Sequence, residues 1–189
     1  MDASRLAVAI ACWTLTVTAH AGAYGIGTRP TDAQIAAWNI DVAPDGKALP
    51  PGRGTVEQGH AIYDRQCAAC HGLDLQGGMG PALAGGVGSL ASEKPLKTVG
   101  SYWPYATTLF DYIRRTMPLA SPQTLSSDEL YALVGYVLFR NGIVPAGTTV
   151  DAAQVVNVRM PNREGFYLDD RPDTKERPCD EHCLRATKK

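Results

Sequence analysis

The stretch Thr55-Val56-Glu57-Gln58-Gly59-His60-Ala61-Ile62-Tyr63-Asp64-Arg65-Gln66-Cys67-Ala68-Ala69-Cys70-His71 holds the signals on which the fold turns. Val56, Gly59, Ile62 and Tyr63 recur at helical spacing, so the pattern predicts a helix over 55–69 with one buried side. Gly59 carries no side chain to hold a neighbour away, and a second helix is expected to cross there through Tyr131 or Tyr136. The helix runs into Cys67-Ala68-Ala69-Cys70-His71, which has the spacing of covalent haem attachment. Two thiols three residues apart fit one helical turn and add to the vinyl groups of the ring, while the adjacent imidazole ligates iron from the proximal side.

Two other uses of a cysteine pair fit less well. A redox dithiol needs a strand before it and a βαβ context, and neither flank has that pattern. A zinc site needs a second ligand pair at finger-like spacing, whereas Cys179 and Cys183 lie at the far end of the chain.

Downstream, Gly80-Pro81-Ala82-Leu83 is placed so that a carbonyl there accepts from His71 Nδ1, which would orient the imidazole and raise its basicity. The sixth iron ligand has to come from the other side of the ring, where Met79, Met117, Met160 and His182 are the choices. Met117 is preferred, because it follows a helix expected over 105–116 and precedes Pro118, which restrains the loop that would carry the sulfur. Met79 sits in a glycine-rich loop that is already needed for the support at Pro81. Of Arg114 and Arg115, one is expected to face a haem propionate and the other solvent. Tyr102, Trp103 and Tyr105 suit either propionate hydrogen bonds or core packing. A last helix is expected over 127–141, opened by the capping-box pair Ser126 and Glu129 and closed by Gly142. Its stripe Leu130, Leu133, Val134, Val137 and Leu138 reads as core.

With 189 residues the chain suits one domain with sizeable extensions. Its 18 Lys and Arg against 19 Asp and Glu argue against a dedicated nucleic-acid binder. The high Gly and Pro content points to long loops. Residues 1–21, with Arg5, an apolar run and Ala19-His20-Ala21, read as a cleaved signal peptide, too short and too diluted by threonine to remain as a membrane span. The mature chain is therefore expected in the periplasm, an oxidising compartment, where Cys179 and Cys183 are candidates for a small disulfide loop. Residues 22–53 form an N-terminal extension with one short helix at 31–38, in which Ile35 and Trp38 would bury a side, and the segment would clasp either its own domain or a partner. Residues 54–143 form the haem domain, and 144–189, broken by prolines, read as an extended arm.

Taken together, the Cys67-Ala68-Ala69-Cys70-His71 helix end, Gly80-Pro81-Ala82-Leu83, Met117-Pro118 and the capped last helix resemble a class I cytochrome c. The resemblance implies an all-α globule wrapped on one covalent haem c, with long irregular N- and C-terminal extensions. Outside that core, Trp38-Asn39-Ile40-Asp41-Val42, Leu49-Pro50-Pro51-Gly52, Lys97 to Tyr105, Met160-Pro161-Asn162 and Gly165-Phe166-Tyr167 are similar to the cytochrome subunit of the Sox sulfane dehydrogenase. That resemblance implies electron transfer during thiosulfate oxidation. A molybdenum-cofactor subunit would oxidise carrier-bound sulfur, and a downstream cytochrome would accept the electrons. No residue here is expected to oxidise sulfur by itself. The sequence holds no second Cys-x-x-Cys-His, so a single haem is expected. The rival readings are a free diffusible electron carrier, and a haem sensor or peroxidase should Met117 not ligate.

Overall fold

A computed structural model describes residues 27–170 of the chain, in two units that divide after Asn39. The first contains α1 (Asp32–Trp38), capped by Thr31, whose hydroxyl accepts from Gln34 N–H while the Gln34 side chain accepts from Thr31 N–H. The helix is where the sequence places it, but Ile35 and Trp38 do not bury a side, and Trp38 is 88% exposed. Two turns present too short a stripe to be held by packing.

The second unit contains β1 (Arg53–Thr55), α2 (Val56–Gln66), α3 (Ala68–His71), α4 (Ala106–Thr116), α5 (Ser127–Arg140), β2 (Thr149–Asp151) and α6 (Ala152–Asn157). It is a helical globule with one two-stranded antiparallel sheet, in which Gly54 pairs with Val150. Thr55 ends β1 and caps α2 through a capping box with Gln58. The buried face of α2 is Val56, Gly59, Ile62 and Tyr63, the set that the spacing predicts.

Helix α5 is the centre of the unit. Ser126 and Glu129 form its capping box and Asn141 ends it, one residue short of the expected end. Every residue from Leu130 to Leu138 is buried, not the single stripe that the periodicity suggests. Partners on several sides explain this. Ala132 and Tyr136 meet α2 at Gly59, Gly135 faces Val150 of β2, and the Tyr131 ring packs on Phe110 of α4, 4.7 Å between centroids. At Gly59 the approach is backbone to backbone, since a Cβ there would overlap the Ala132 carbonyl and lie 2.8 Å from Tyr136 Cβ. Tyr136, not Tyr131, is thus the aromatic residue at the crossing.

The flanking segments are partly folded onto this core. Residues 40–50 run along the unit, with Val42 buried and the Tyr131 hydroxyl donating to Pro50 O at 2.6 Å. This stretch clasps its own domain. After α5, residues 144–160 return to the core through β2 and α6 instead of extending away, burying Val150, Val155 and Met160. Prolines hid this return because β2 is three residues long, α6 is six, and neither sustains a period.

Two consequences are measurable by chemical denaturation. Gly59→Ala should cost about 2 kcal/mol or more, because the added methyl meets rigid backbone. Glu57 accepts from its own and the Gly147 backbone N–H, which holds its carboxyl below the usual 4.5. A carboxylate so lowered stabilises the fold above its unfolded pKa, and the contribution fades as pH falls through the lowered value. Glu57→Gln should therefore lose less stability than the parent chain as the medium is acidified.

Candidate haem site

Cys67 stops α2, with its own N–H still donating to Tyr63 O at 2.8 Å. Its carbonyl then accepts from Cys70 N at 3.1 Å and His71 N at 3.0 Å, so Cys67 to His71 form one tight turn, α3. The sequence anticipates one unbroken helix through 69; the observed break at Cys67 turns α3 off the axis of α2. The two thiols are not joined to each other; Cys67 is half-buried and Cys70 exposed. Burial, with a smaller contribution from Cys70, pushes the Cys67 thiol up to about 11.

His71 Nδ1 lies 2.8 Å from Pro81 O. A carbonyl only accepts, so Nδ1 carries the proton and Nε2 keeps its lone pair for a metal. This is the support anticipated from Gly80-Pro81, and a dense set of backbone bonds holds it there. Gly77 N donates to His71 O at 2.8 Å, Gly80 N to Cys70 O at 2.9 Å and Leu83 N to the carbonyl of fully buried Leu75 at 2.9 Å. Gly80 itself lies against the imidazole, where a Cβ would come within 2.8 Å of Cε1 and 2.9 Å of Nδ1.

A second set of supports comes from residues that the sequence did not mark as functional. The Tyr63 hydroxyl donates to Gly72 O at 2.7 Å, and burial raises its pKa so that it stays a neutral donor. From the end of α5, Arg140 reaches Asp74 at 3.0 Å and the Tyr136 hydroxyl at 2.9 Å, while Asn141 Nδ2 donates to Leu83 O at 3.0 Å. The Asp74 and Leu83 partners lie 66 and 58 residues away from Arg140 and Asn141, so no local spacing could have announced those two bonds.

The four candidates for a distal ligand separate by position. Met160 is 1% exposed within the core, where its sulfur is already surrounded by packing. Met79 is 86% exposed, on the loop that supports His71. Met117 is half-buried at the end of α4, its N–H donating to Ile113 O at 3.0 Å, with extended backbone as a residue before proline adopts. His182, like Cys179, Cys183 and residues 1–21, lies outside the described residues.

Arg114 and Arg115 are both engaged by protein groups, Arg114 with Ile40 O at 3.0 Å and Arg115 with Asp41 and Asp111. Trp103 packs edge-on to Tyr112, Tyr102 edge-on to Phe166, and Arg163 stacks over Tyr105 at 4.0 Å. Among the described residues no three His, Cys, Asp or Glu side chains gather into a metal cluster. The donor set around His71 fits a haem: two thiols on one turn that are not joined to each other, and an imidazole whose Nδ1 is held by Pro81 O with Gly80 against the ring.

Comparison with known proteins agrees with this chemistry. Residues 54–137 match the family described as cytochrome c oxidase, cbb3-type, subunit III. Among solved structures, a chain of the sulfane dehydrogenase SoxCD from Paracoccus pantotrophus is 42% identical, with a TM-score of 0.74 over 85% of this chain and 82% of that one. No curated protein sequence matches. A haem-attachment turn, a helical globule built around α5 and this level of identity lead to one conclusion: the chain belongs to the class I cytochromes c, and it resembles the cytochrome of the Sox sulfane dehydrogenase.

Proposed function

We propose that the chain is a periplasmic one-haem c-type cytochrome, the electron-transfer subunit of a sulfane dehydrogenase complex that oxidises carrier-bound sulfur during thiosulfate oxidation. The observation that carries this reading is the 42% identity to a SoxCD chain across most of both chains, which includes segments outside the haem core. In this reading a molybdenum-cofactor subunit performs the sulfur chemistry and a downstream cytochrome receives the electrons. No helix among the described residues is long and apolar enough to cross a membrane; in this reading residues 1–21 are a signal peptide that is cleaved.

Haem c supplies a one-electron iron couple when bound. Cys67 and Cys70 would hold the ring by thioether bonds, and His71 would offer Nε2 to the iron while Pro81 O holds the proton on Nδ1. That hydrogen bond raises the basicity of the imidazole and favours the ferric state. Met117 would supply the second side-chain ligand, a thioether, which favours the ferrous form of a haem iron. Residues 54–143 then form the haem domain, 22–53 and 144–189 its extensions, and Cys179 and Cys183 a disulfide in the last of these.

The spectrum of the periplasmically matured protein tests the ligands. Oxidised protein should show the weak sulfur-to-iron band at the red end of the visible, and Met117→Ala should abolish it while leaving the haem attached. Cys67→Ala or Cys70→Ala should leave one thioether, seen as a red shift in the alkaline pyridine derivative, and the double variant should hold no covalent haem. For the partner, affinity purification at moderate salt should bring down a molybdenum-containing subunit in stoichiometric amount. Recovery of the cytochrome alone would favour a diffusible carrier.

A further inference from the structure

One face of α4 is tied down along its length by the segment that precedes β1. Thr107, Asp111, Arg114 and Arg115 fall at helical positions i, i+4, i+7 and i+8, so they share that face. The Thr107 hydroxyl reaches Pro44 O at 3.4 Å, the Asp111 carboxylate accepts from Val42 N at 2.9 Å, and Arg114 donates to Ile40 O at 3.0 Å. Residues 40–44 therefore run antiparallel to α4, starting beside its last turn at Ile40 and reaching its first turn at Pro44. Arg115 forks there, to Asp111 at 2.6 Å and to Asp41 at 2.9 Å. The Asp111 side chain is 12% exposed and that of Asp41 is 71% exposed, so the inner arm of the fork is the stronger one.

The last turn of a helix lacks onward partners for its carbonyls and opens at lower free energy than the whole fold. Met117 hangs directly from that turn by its N–H bond to Ile113 O. We propose that Asp111 and Arg115 are positioning residues for Met117: by tying the end of α4 to Ile40–Val42 they restrict the opening that would let the thioether leave iron. This rests on the reading of Met117 as axial ligand.

The test uses the haem-loaded full chain and imidazole, a small ligand that binds ferric iron only when the thioether has left. Asp111→Asn keeps the size of the side chain and an acceptor for Val42 N–H but removes the negative charge that faces Arg115. Arg115→Gln removes the cation. Each should bind imidazole about tenfold more tightly than the parent, the loss expected for one charge-assisted hydrogen bond. The double variant should add little beyond either single one, because the two act as a pair. Asp41→Asn, on the exposed arm, should change little. Val150→Ala, which loosens packing against Gly135 and Val56, controls for general destabilisation. Should Asp111→Asn fail to accumulate as haem protein, Arg115→Gln carries the comparison. Unchanged imidazole affinity in the clamp variants, or an equal change in Val150→Ala, overturns the proposal while the ligand assignment stands. A parent protein without the sulfur-to-iron band, or one whose band survives Met117→Ala, overturns the ligand assignment and this proposal with it.

Discussion

The contact between Gly59 and the backbone at Ala132 sets the geometry of everything built on α2 and α5. Because no side chain separates the helices there, α5 comes close enough for Tyr136 to pack against Tyr63, 5.2 Å between ring centroids. Tyr63 in turn donates to Gly72 O, the first carbonyl after His71, and Arg140 one turn beyond Tyr136 reaches Asp74. A helix crossing thereby becomes a fixed position for the haem-attachment turn. Were a larger side chain to separate the two helices, the Arg140–Asp74 bond would lengthen, since its donor sits on α5 and its acceptor follows α3.

Around that crossing, backbone groups do much of the work at the site. The loop after His71 contributes Pro81 O to the imidazole and Leu75 O to the chain at Leu83 and Ala84, and its glycines allow those approaches. Asn141, at the end of α5, ties the same loop at Leu83 O and Gly85 N. The His71 imidazole is thus held by a hydrogen-bonded frame anchored in the most buried helix. Met117 depends on a different frame, the face of α4 held by residues 40–44. The two candidate ligands are supported by separate parts of the chain, so each can be perturbed without the other.

Much of this was legible in the residues. The haem turn, the Pro81 support, three of the capped helices and the buried face of α2 follow from spacing and capping rules that act within one or two turns. The all-round burial of α5 was not legible, because its outward-facing Tyr131, Ala132 and Tyr136 are covered by elements distant in sequence. The return of residues 144–160 was hidden for a similar reason: a three-residue strand acquires its register only from its partner at Arg53–Thr55.

By itself, the sequence determined the chemistry of the centre. Cys67, Cys70 and His71 must share one turn because covalent spacing along a helix leaves them no alternative, and a proline carbonyl has no competing N–H of its own. Tertiary structure alone decided how deeply each candidate methionine lies and what surrounds it. Met160 is withdrawn into the core and Met117 is left at the end of a helix clamped by Asp111 and Arg115. Burial and long-range hydrogen bonds depend on which distant segments meet, and that is settled only when the chain closes around α5.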